Sequence, residues 1–194
     1  MKVCGLTGGV GMGKSTAAGF FLRLGARIVD ADELARQLVQ PGQPALSEIQ
    51  NQFGTGVIAA GGGLRRDELA RIVFADEVAR KKLEAILHPR IREGWLAQIE
   101  HWRKENHPLA IVVIPLLFET QAETSFEKII CVACSPAAQQ ARLRERGWND
   151  GQIRLRVAAQ WPVEQKISRS DFVIWTEGSR AVHEQQAARV FENL

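Results

Sequence analysis

Gly5-Leu6-Thr7-Gly8-Gly9-Val10-Gly11-Met12-Gly13-Lys14-Ser15-Thr16 is the stretch whose reading decides the fold. Gly8, Gly13, Lys14 and Ser15 fit the spacing G-x-x-x-x-G-K-[ST]. Each residue type has a physical task there. Glycines without Cβ let the backbone curl round an anion and turn N–H groups inward. A lysine brings a mobile cation to the terminal phosphates of a nucleotide, and a serine hydroxyl suits Mg²⁺. A helix starting at the same place adds the positive end of its dipole. The flanks agree: Val3–Leu6 is a short apolar run that reads as a strand, and Ser15–Leu24 carries Ala18, Phe21 and Leu22 on one helical face. Strand, glycine loop and helix in that order predict a phosphate-binding site spanning Val10 to Thr16, with Ser15 as the metal ligand.

Beyond the loop, Ala26–Val29 reads as a second strand, followed by Asp30-Ala31-Asp32-Glu33. Helix capping explains these acids, with Asp30 as N-cap and Glu33 as its box partner. An acid at the carboxyl end of a strand beside a phosphate loop also suits chemistry, because ligands of open α/β sheets bind at that edge. Periodicity leaves both readings of Asp32 open. Pro44 to about Phe53, Arg66–Phe74, Asp76–Leu87 and Pro89–Lys104 read as helices, the last two separated at His88-Pro89. Gly61-Gly62-Gly63 reads as a hairpin or loop. Leu109–Ile114 is a continuous apolar run, as in a strand buried on both faces, and Lys128–Cys134 is another. Ser135-Pro136 starts a helix that ends at Gly147. Helices follow over Asp150–Gln160 and Val163–Arg169, then a strand Asp171–Trp175 and a C-terminal helix. Strands alternating with helices predict a parallel sheet with right-handed crossovers.

The chain of 194 residues has 45% hydrophobic and 24% charged content and a net charge of +3, within the range of an ordinary globular domain. That charge suits a small polyanionic substrate and falls short of a nucleic-acid footprint. No apolar run reaches the roughly 20 residues that cross a bilayer, and Met1 leads directly into the first strand, so the cytoplasm is expected. Three cysteines make no disulfide framework. Cys131 and Cys134 lie three apart on a strand and point to opposite faces, which favours core packing over a shared metal. Arg142 and Arg146 share a helix face and, with Arg154 and Arg156, bracket the loop Gly147–Gly151. A solvated basic face explains them; so does a lid that neutralises charge over a triphosphate.

Further motifs accompany the loop in order: Val29-Asp30-Ala31-Asp32 with Ala35-Arg36, His88-Pro89-Arg90-Ile91-Arg92, Pro115-Leu116-Leu117-Phe118-Glu119, and Gln160 with Lys166, Asp171-Phe172-Val173-Ile174 and Gly178-Ser179. With the opening loop, this set resembles the dephospho-coenzyme A kinase family of P-loop kinases over nearly the whole chain. The resemblance implies an α/β, P-loop NTPase-type three-layer fold: a five-stranded parallel sheet with a helical substrate-binding insertion and a helical lid. On the sequence these fall at about 1–30, 108–135 and 170–194 for the core, 31–107 for the insertion and 136–169 for the lid. It implies transfer of the γ-phosphoryl of ATP, with Mg²⁺, to the ribose 3′-hydroxyl of dephospho-coenzyme A, the last step of coenzyme A synthesis. By the same resemblance Lys14, Asp32, Arg142 and Arg146 are catalytic, and Thr7, Asp32, His88, Arg92 and Leu116 meet substrate. Pro89 beside His88 equally marks a helix start. The partners implied are small molecules, with neither nucleic acid nor membrane, in a monomer or weak homo-oligomer.

One departure stands out. Many P-loop enzymes hold Mg²⁺ through an acid at the end of the strand before Pro115. This chain has Val113 and Ile114 there. A kinase for another small acceptor, such as a nucleoside monophosphate or sugar acid, shares the loop. A guanine-reading switch does not fit, because no N-K-x-D motif is present.

Overall fold

The computed structural model describes all residues, 1–194. Its strands are β1 (Lys2–Thr7), β2 (Arg27–Asp30), β3 (Leu109–Val113), β4 (Lys128–Ala133) and β5 (Phe172–Trp175). They pair throughout in parallel, in the order β2-β3-β1-β4-β5. The continuous apolar runs of β1, β3 and β4 have the physical cause that the sequence implied, since both faces of the sheet are covered. On one face Cys4, Leu6, Ile111, Val113, Ile130, Val132 and Ile174 pack with Phe20 and Phe21 of α1 (Lys14–Arg23) and with Ala187 and Val190 of α9 (Arg180–Glu192). On the other, Val3, Ala110, Val112, Ile129, Cys131 and Ala133 are buried as well. Each large side chain so buried contributes about 1.5–3 kcal/mol of transfer free energy. The cysteines are buried and free, as core packing predicts.

The chain forms two compact units, Met1–Asp30 with Ile99–Leu194, and Ala31–Gln98. The first holds the sheet, α1 and α9, and also α6 (Pro136–Glu145), α7 (Asp150–Ala158) and α8 (Val163–Ser168). Ser135 caps α6 through its hydroxyl, which accepts from Ala138 N. Gly147 follows the helix with φ 82°. The second unit holds α2 (Ala31–Leu38), α3 (Pro44–Phe53), α4 (Arg66–Ala75) and the greater part of α5 (Glu77–Lys104). Its own core gathers Val39, Leu46, Ile49, Val57, Leu69 and Val73, with Leu83, Ile86 and Leu87 packed on it. The triple glycine lies in a tight antiparallel turn, with Ile58 bridged to Leu64 and Gly62 N donating to Ala59 O at 2.8 Å.

The reading of two helices divided at His88-Pro89 is corrected. α5 is a single helix of 28 residues with Pro89 inside it. Proline there forfeits one backbone hydrogen bond and crowds the preceding turn, at a cost of about 3 kcal/mol. The apolar spacing nonetheless continues through the proline, from Leu83, Ile86 and Leu87 to the buried Trp95. Burying one or two such side chains offsets the cost. The guanidinium of Arg90 also donates to Ile86 O at 2.6 Å, one turn back.

Candidate phosphoryl-transfer site

β1, the central strand, ends at Thr7 and delivers the glycine loop to the first turn of α1. Two glycines there are structurally required. Gly8 has φ 143°, and a Cβ on it would overlap Val132 O. Gly13, the residue before α1, is left-handed at φ 96°. The ammonium of Lys14 is held against the loop backbone, donating to Gly8 O at 2.9 Å and Gly9 O at 3.0 Å. Ser15 and Thr16 are exposed in the first turn of α1.

The loop is braced by side chains far away in sequence. Gln139 of α6 donates to Val10 O at 2.7 Å, and Gln160 Oε1 accepts from Val10 N at 2.8 Å. The Thr176 hydroxyl, just beyond β5, donates to Met12 O at 3.0 Å. Arg142 grips the same threonine twice, at Oγ1 (2.7 Å) and at its carbonyl (2.5 Å). Glu177 Oε1 accepts from Ser135 N at 2.8 Å. Hydrogen bonding to Ser135, through its side chain first and its backbone N–H second, holds the Glu177 carboxyl below the usual carboxylate range. One residue of the loop, Val10, is therefore tied at both its N–H and its C=O.

A cavity of about 560 Å³ opens beside the loop. Gly11, Gly13 and Thr16 line it together with Arg142, Arg146, Thr176, Ser179 and Arg180. The structure thus brings together the loop and both arginines of the expected catalytic set. Arg142 is half-buried and fixed to Thr176, while Arg146 is exposed. Thr7 is buried, and its hydroxyl donates to Pro115 O at 3.3 Å. Leu116 lies half-buried in the turn after β3, where its carbonyl accepts the Thr120 hydroxyl at 2.8 Å.

Asp32, His88 and Arg92 belong to the second unit. Asp32 is exposed in the first turn of α2, and Arg92 is exposed on α5. His88 is half-buried, and burial lowers its pKa against the opposing pull of Glu84.

No cluster of three or more His, Cys, Asp or Glu side chains forms a metal cage. The end of β3 is aliphatic, with Val113 and Ile114 both buried. The donor set fits a hard cation that arrives with a nucleotide, keeps several waters and takes one protein hydroxyl, that of Ser15.

A parallel α/β sheet whose central strand feeds a glycine loop and a lysine into a helix N-terminus, beside an arginine-lined cavity, defines the P-loop kinase class. Within that class the chain belongs to the dephospho-CoA kinase family, whose model, described as dephospho-CoA kinase, matches residues 2–181. It is 41% identical to a dephospho-CoA kinase of Bdellovibrio bacteriovorus, covering 90% of this chain and 87% of the relative. It is 40% identical to one from Anaeromyxobacter dehalogenans, covering 100% of this chain and 92% of that one. Among solved structures, the dephospho-CoA kinase of Campylobacter jejuni superposes with a TM-score of 0.72 at 27% identity, covering 100% of this chain and 97% of that one.

Sequence reasoning missed Gln139, Thr176 and Glu177 and gave Gln160 no task. Each acts through hydrogen bonds to residues distant in sequence, which leave no local pattern.

Proposed function

We propose that this chain transfers the γ-phosphoryl group of ATP to the ribose 3′-hydroxyl of dephospho-coenzyme A. The observation that carries the reading is the braced phosphate loop with Lys14, open to an arginine-lined cavity, in a chain of this family. In the transfer, a bond forms between the acceptor oxygen and the γ-phosphorus, and the bond from that phosphorus to the β–γ bridging oxygen breaks. The hydroxyl proton leaves with solvent or through Asp32. Bound Mg²⁺ would neutralise phosphate charge, held by Ser15.

The chain's own residues do the remaining work. A loose transition state rewards positioning and charge stabilisation more than proton abstraction. Lys14 and the loop N–H groups hold the phosphates. Arg146, exposed at the end of α6, is free to meet charge as it moves to the leaving oxygen, whereas Arg142 positions the loop through Thr176. Asp32 orients the acceptor hydroxyl, and His88 and Arg92 of α5, with Thr7 and Leu116, serve the acceptor. α6 to α8 act as the lid, and the second unit as the acceptor-binding insertion. We place the protein in the cytoplasm as a monomer or weak homo-oligomer acting on small molecules; no helix is long and apolar enough to cross a membrane.

ADP release coupled to NADH oxidation, measured across dephospho-coenzyme A, AMP, CMP and gluconate, tests the reading. Turnover with dephospho-coenzyme A alone is expected; faster turnover with another acceptor overturns the substrate assignment.

A further inference from the structure

A fully buried cation has no part in the chemistry proposed above. Lys166 lies on α8, and its ammonium pairs with Glu119 Oε1 at 2.7 Å and donates to Pro115 O at 2.7 Å. The Glu119 side chain is only 14% exposed. Such a pair is a weak source of stability, because the cost of desolvating both ions offsets their attraction. Apolar residues of similar volume often replace one without loss. What the pair does supply is geometry: it holds particular oxygen atoms at hydrogen-bond distance, which methyl groups cannot do.

Two hydrogen-bonded routes lead from this pair to the phosphate loop. Pro115 O, which takes the Lys166 ammonium, also accepts the hydroxyl of Thr7 at 3.3 Å. Thr7 is the last residue of β1, directly before Gly8. On the other route, Glu119 Oε1 accepts the N–H of Trp161 at 2.7 Å. Gln160, the residue before Trp161, takes the N–H of Val10 at 2.8 Å.

The second route runs through backbone that no helix holds. Gln160 and Trp161 lie between the end of α7 at Ala158 and the start of α8 at Val163. The Trp161 ring stacks on the buried Phe118, with centroids 6.1 Å apart and planes 11° apart. The guanidinium of Arg169 lies 5.0 Å from the same ring. The turn after β3 therefore grips Trp161 twice, by its N–H through Glu119 and by its ring through Phe118, and Lys166 secures that turn. The tolerance is small. A displacement of about 0.5 Å takes the 2.8 Å bond to Val10 N beyond the ordinary N–H···O range.

We infer that Lys166 and Glu119 are positioning residues for the phosphate loop: they set Val10 through Trp161 and Gln160, and the start of the loop through Pro115 O and Thr7. This rests on the reading of the loop as the phosphate site. Neither side chain lines the cavity beside the loop, so both act through other residues. The loop N–H groups that meet phosphate then owe part of their placement to an ion pair on the far side of Gln160 and Thr7.

The test is a thermodynamic cycle in ADP affinity, read by calorimetry on the wild type, Lys166→Met/Glu119→Leu, Gln160→Ala, and the three substitutions combined. Removing the pair whole strands no charge, so the melting temperature is expected to stay near the wild type. ADP affinity is expected to fall about tenfold, equivalent to about 1.4 kcal/mol. Gln160→Ala should weaken ADP by a similar factor in the wild type, yet by less than about twofold once the pair is gone, because the route it completes is already broken. Lys166→Met/Glu119→Gln keeps an acceptor for Trp161 N and is expected to recover part of the affinity. It also supplies the cycle if the leucine variant does not fold. Wild-type ADP affinity in the stable double variant overturns the inference. So do losses that multiply in full, since the pair and Gln160 would then act independently. A wild type that does not bind ADP overturns the phosphate-site reading instead, a result visible before any variant is made.

Discussion

Lys166→Met tests the most deeply buried charge in the chain. The Lys166 ammonium is fully buried. It donates to Pro115 O at 2.7 Å and pairs with Glu119 Oε1 at 2.7 Å. The same carboxylate oxygen accepts from Trp161 N at 2.7 Å, while Glu119 Oε2 is buried with no partner. Methionine keeps the apolar stem and removes only the cation. The Glu119 carboxylate then faces the Trp161 N–H alone, and Pro115 O retains only the Thr7 hydroxyl at 3.3 Å. Breaking a buried pair from one side costs about 3–5 kcal/mol. For a chain of this size each kcal/mol lowers the melting temperature by about 2–4 °C, so a fall of about 6–20 °C is expected. The double variant Lys166→Met/Glu119→Leu removes the stranded carboxylate as well. Replacing a whole buried pair by apolar groups is often neutral or stabilising, so this protein is expected to melt near the wild type. Thermal melts followed by circular dichroism, with urea titrations to check the m-value, supply both numbers. A single variant melting within about 3 °C of wild type refutes the reasoning, and so does a double variant less stable than the single.

Three further outcomes are expected. Lys14→Ala lowers turnover by at least about 10²–10³-fold, the worth of one well-placed donor, while the melt stays close to wild type; near-normal ADP release would remove the loop from the mechanism. Asp32→Asn keeps ADP affinity within about twofold in calorimetry and lowers kcat by about 10²–10⁴-fold; an unchanged kcat assigns Asp32 to the helix terminus alone. Burial pushes the thiols of Cys4 and Cys131 up to about 11 from an ordinary 9.0. Because the folded values are raised, their stabilising contribution is complete below pH 9 and is lost as pH rises through 11. Cys131→Ala should therefore flatten the drop in melting temperature between pH 9 and 11, and Ellman's reagent should reach these thiols at pH 8 only after denaturation.

What the sequence made legible follows from the range of each physical signal. β1, β3 and β4 could be read because strands covered on both faces must be apolar at every position, and that need is written locally. The phosphate loop could be read because backbone curvature at Gly8 and Gly13 demands glycine at fixed offsets. The continuity of α5 through Pro89 could not, because a proline is a strong local signal and its offset lies in burial of side chains on either side of it. The braces were illegible for the same reason. Gln139 and Val10 are 129 residues apart, Gln160 and Val10 150, Thr176 and Met12 164. A glutamine in a helix looks the same whether it faces solvent or holds a loop carbonyl. Its exposure and its partner are properties of the fold, and neither periodicity nor spacing encodes them.

Those braces bear on the aliphatic end of β3. With Val113 and Ile114 buried where many P-loop enzymes present an acid, this chain supplies no carboxylate from that strand. On the proposed reading, little of the metal's position is then set directly by protein, and most follows from where the phosphates lie. Precision must come from the loop. A glycine-rich loop is the segment least able to hold itself, because glycine has the largest conformational freedom to lose. Tying Val10 at both its N–H and its carbonyl, and Met12 at its carbonyl, fixes that freedom from outside. The holding side chains come from α6, from the segment after α7 and from the segment after β5. Arg142 then secures Thr176 in its turn. A shift of α6 therefore acts on the loop through two hydrogen-bonded routes, Gln139 directly and Arg142 by way of Thr176. An arginine-bearing helix that also braces the phosphate loop couples its own placement to the geometry of phosphoryl transfer. That coupling gives the chain a reason to keep Arg142 half-buried and fixed while leaving Arg146, one turn on, exposed.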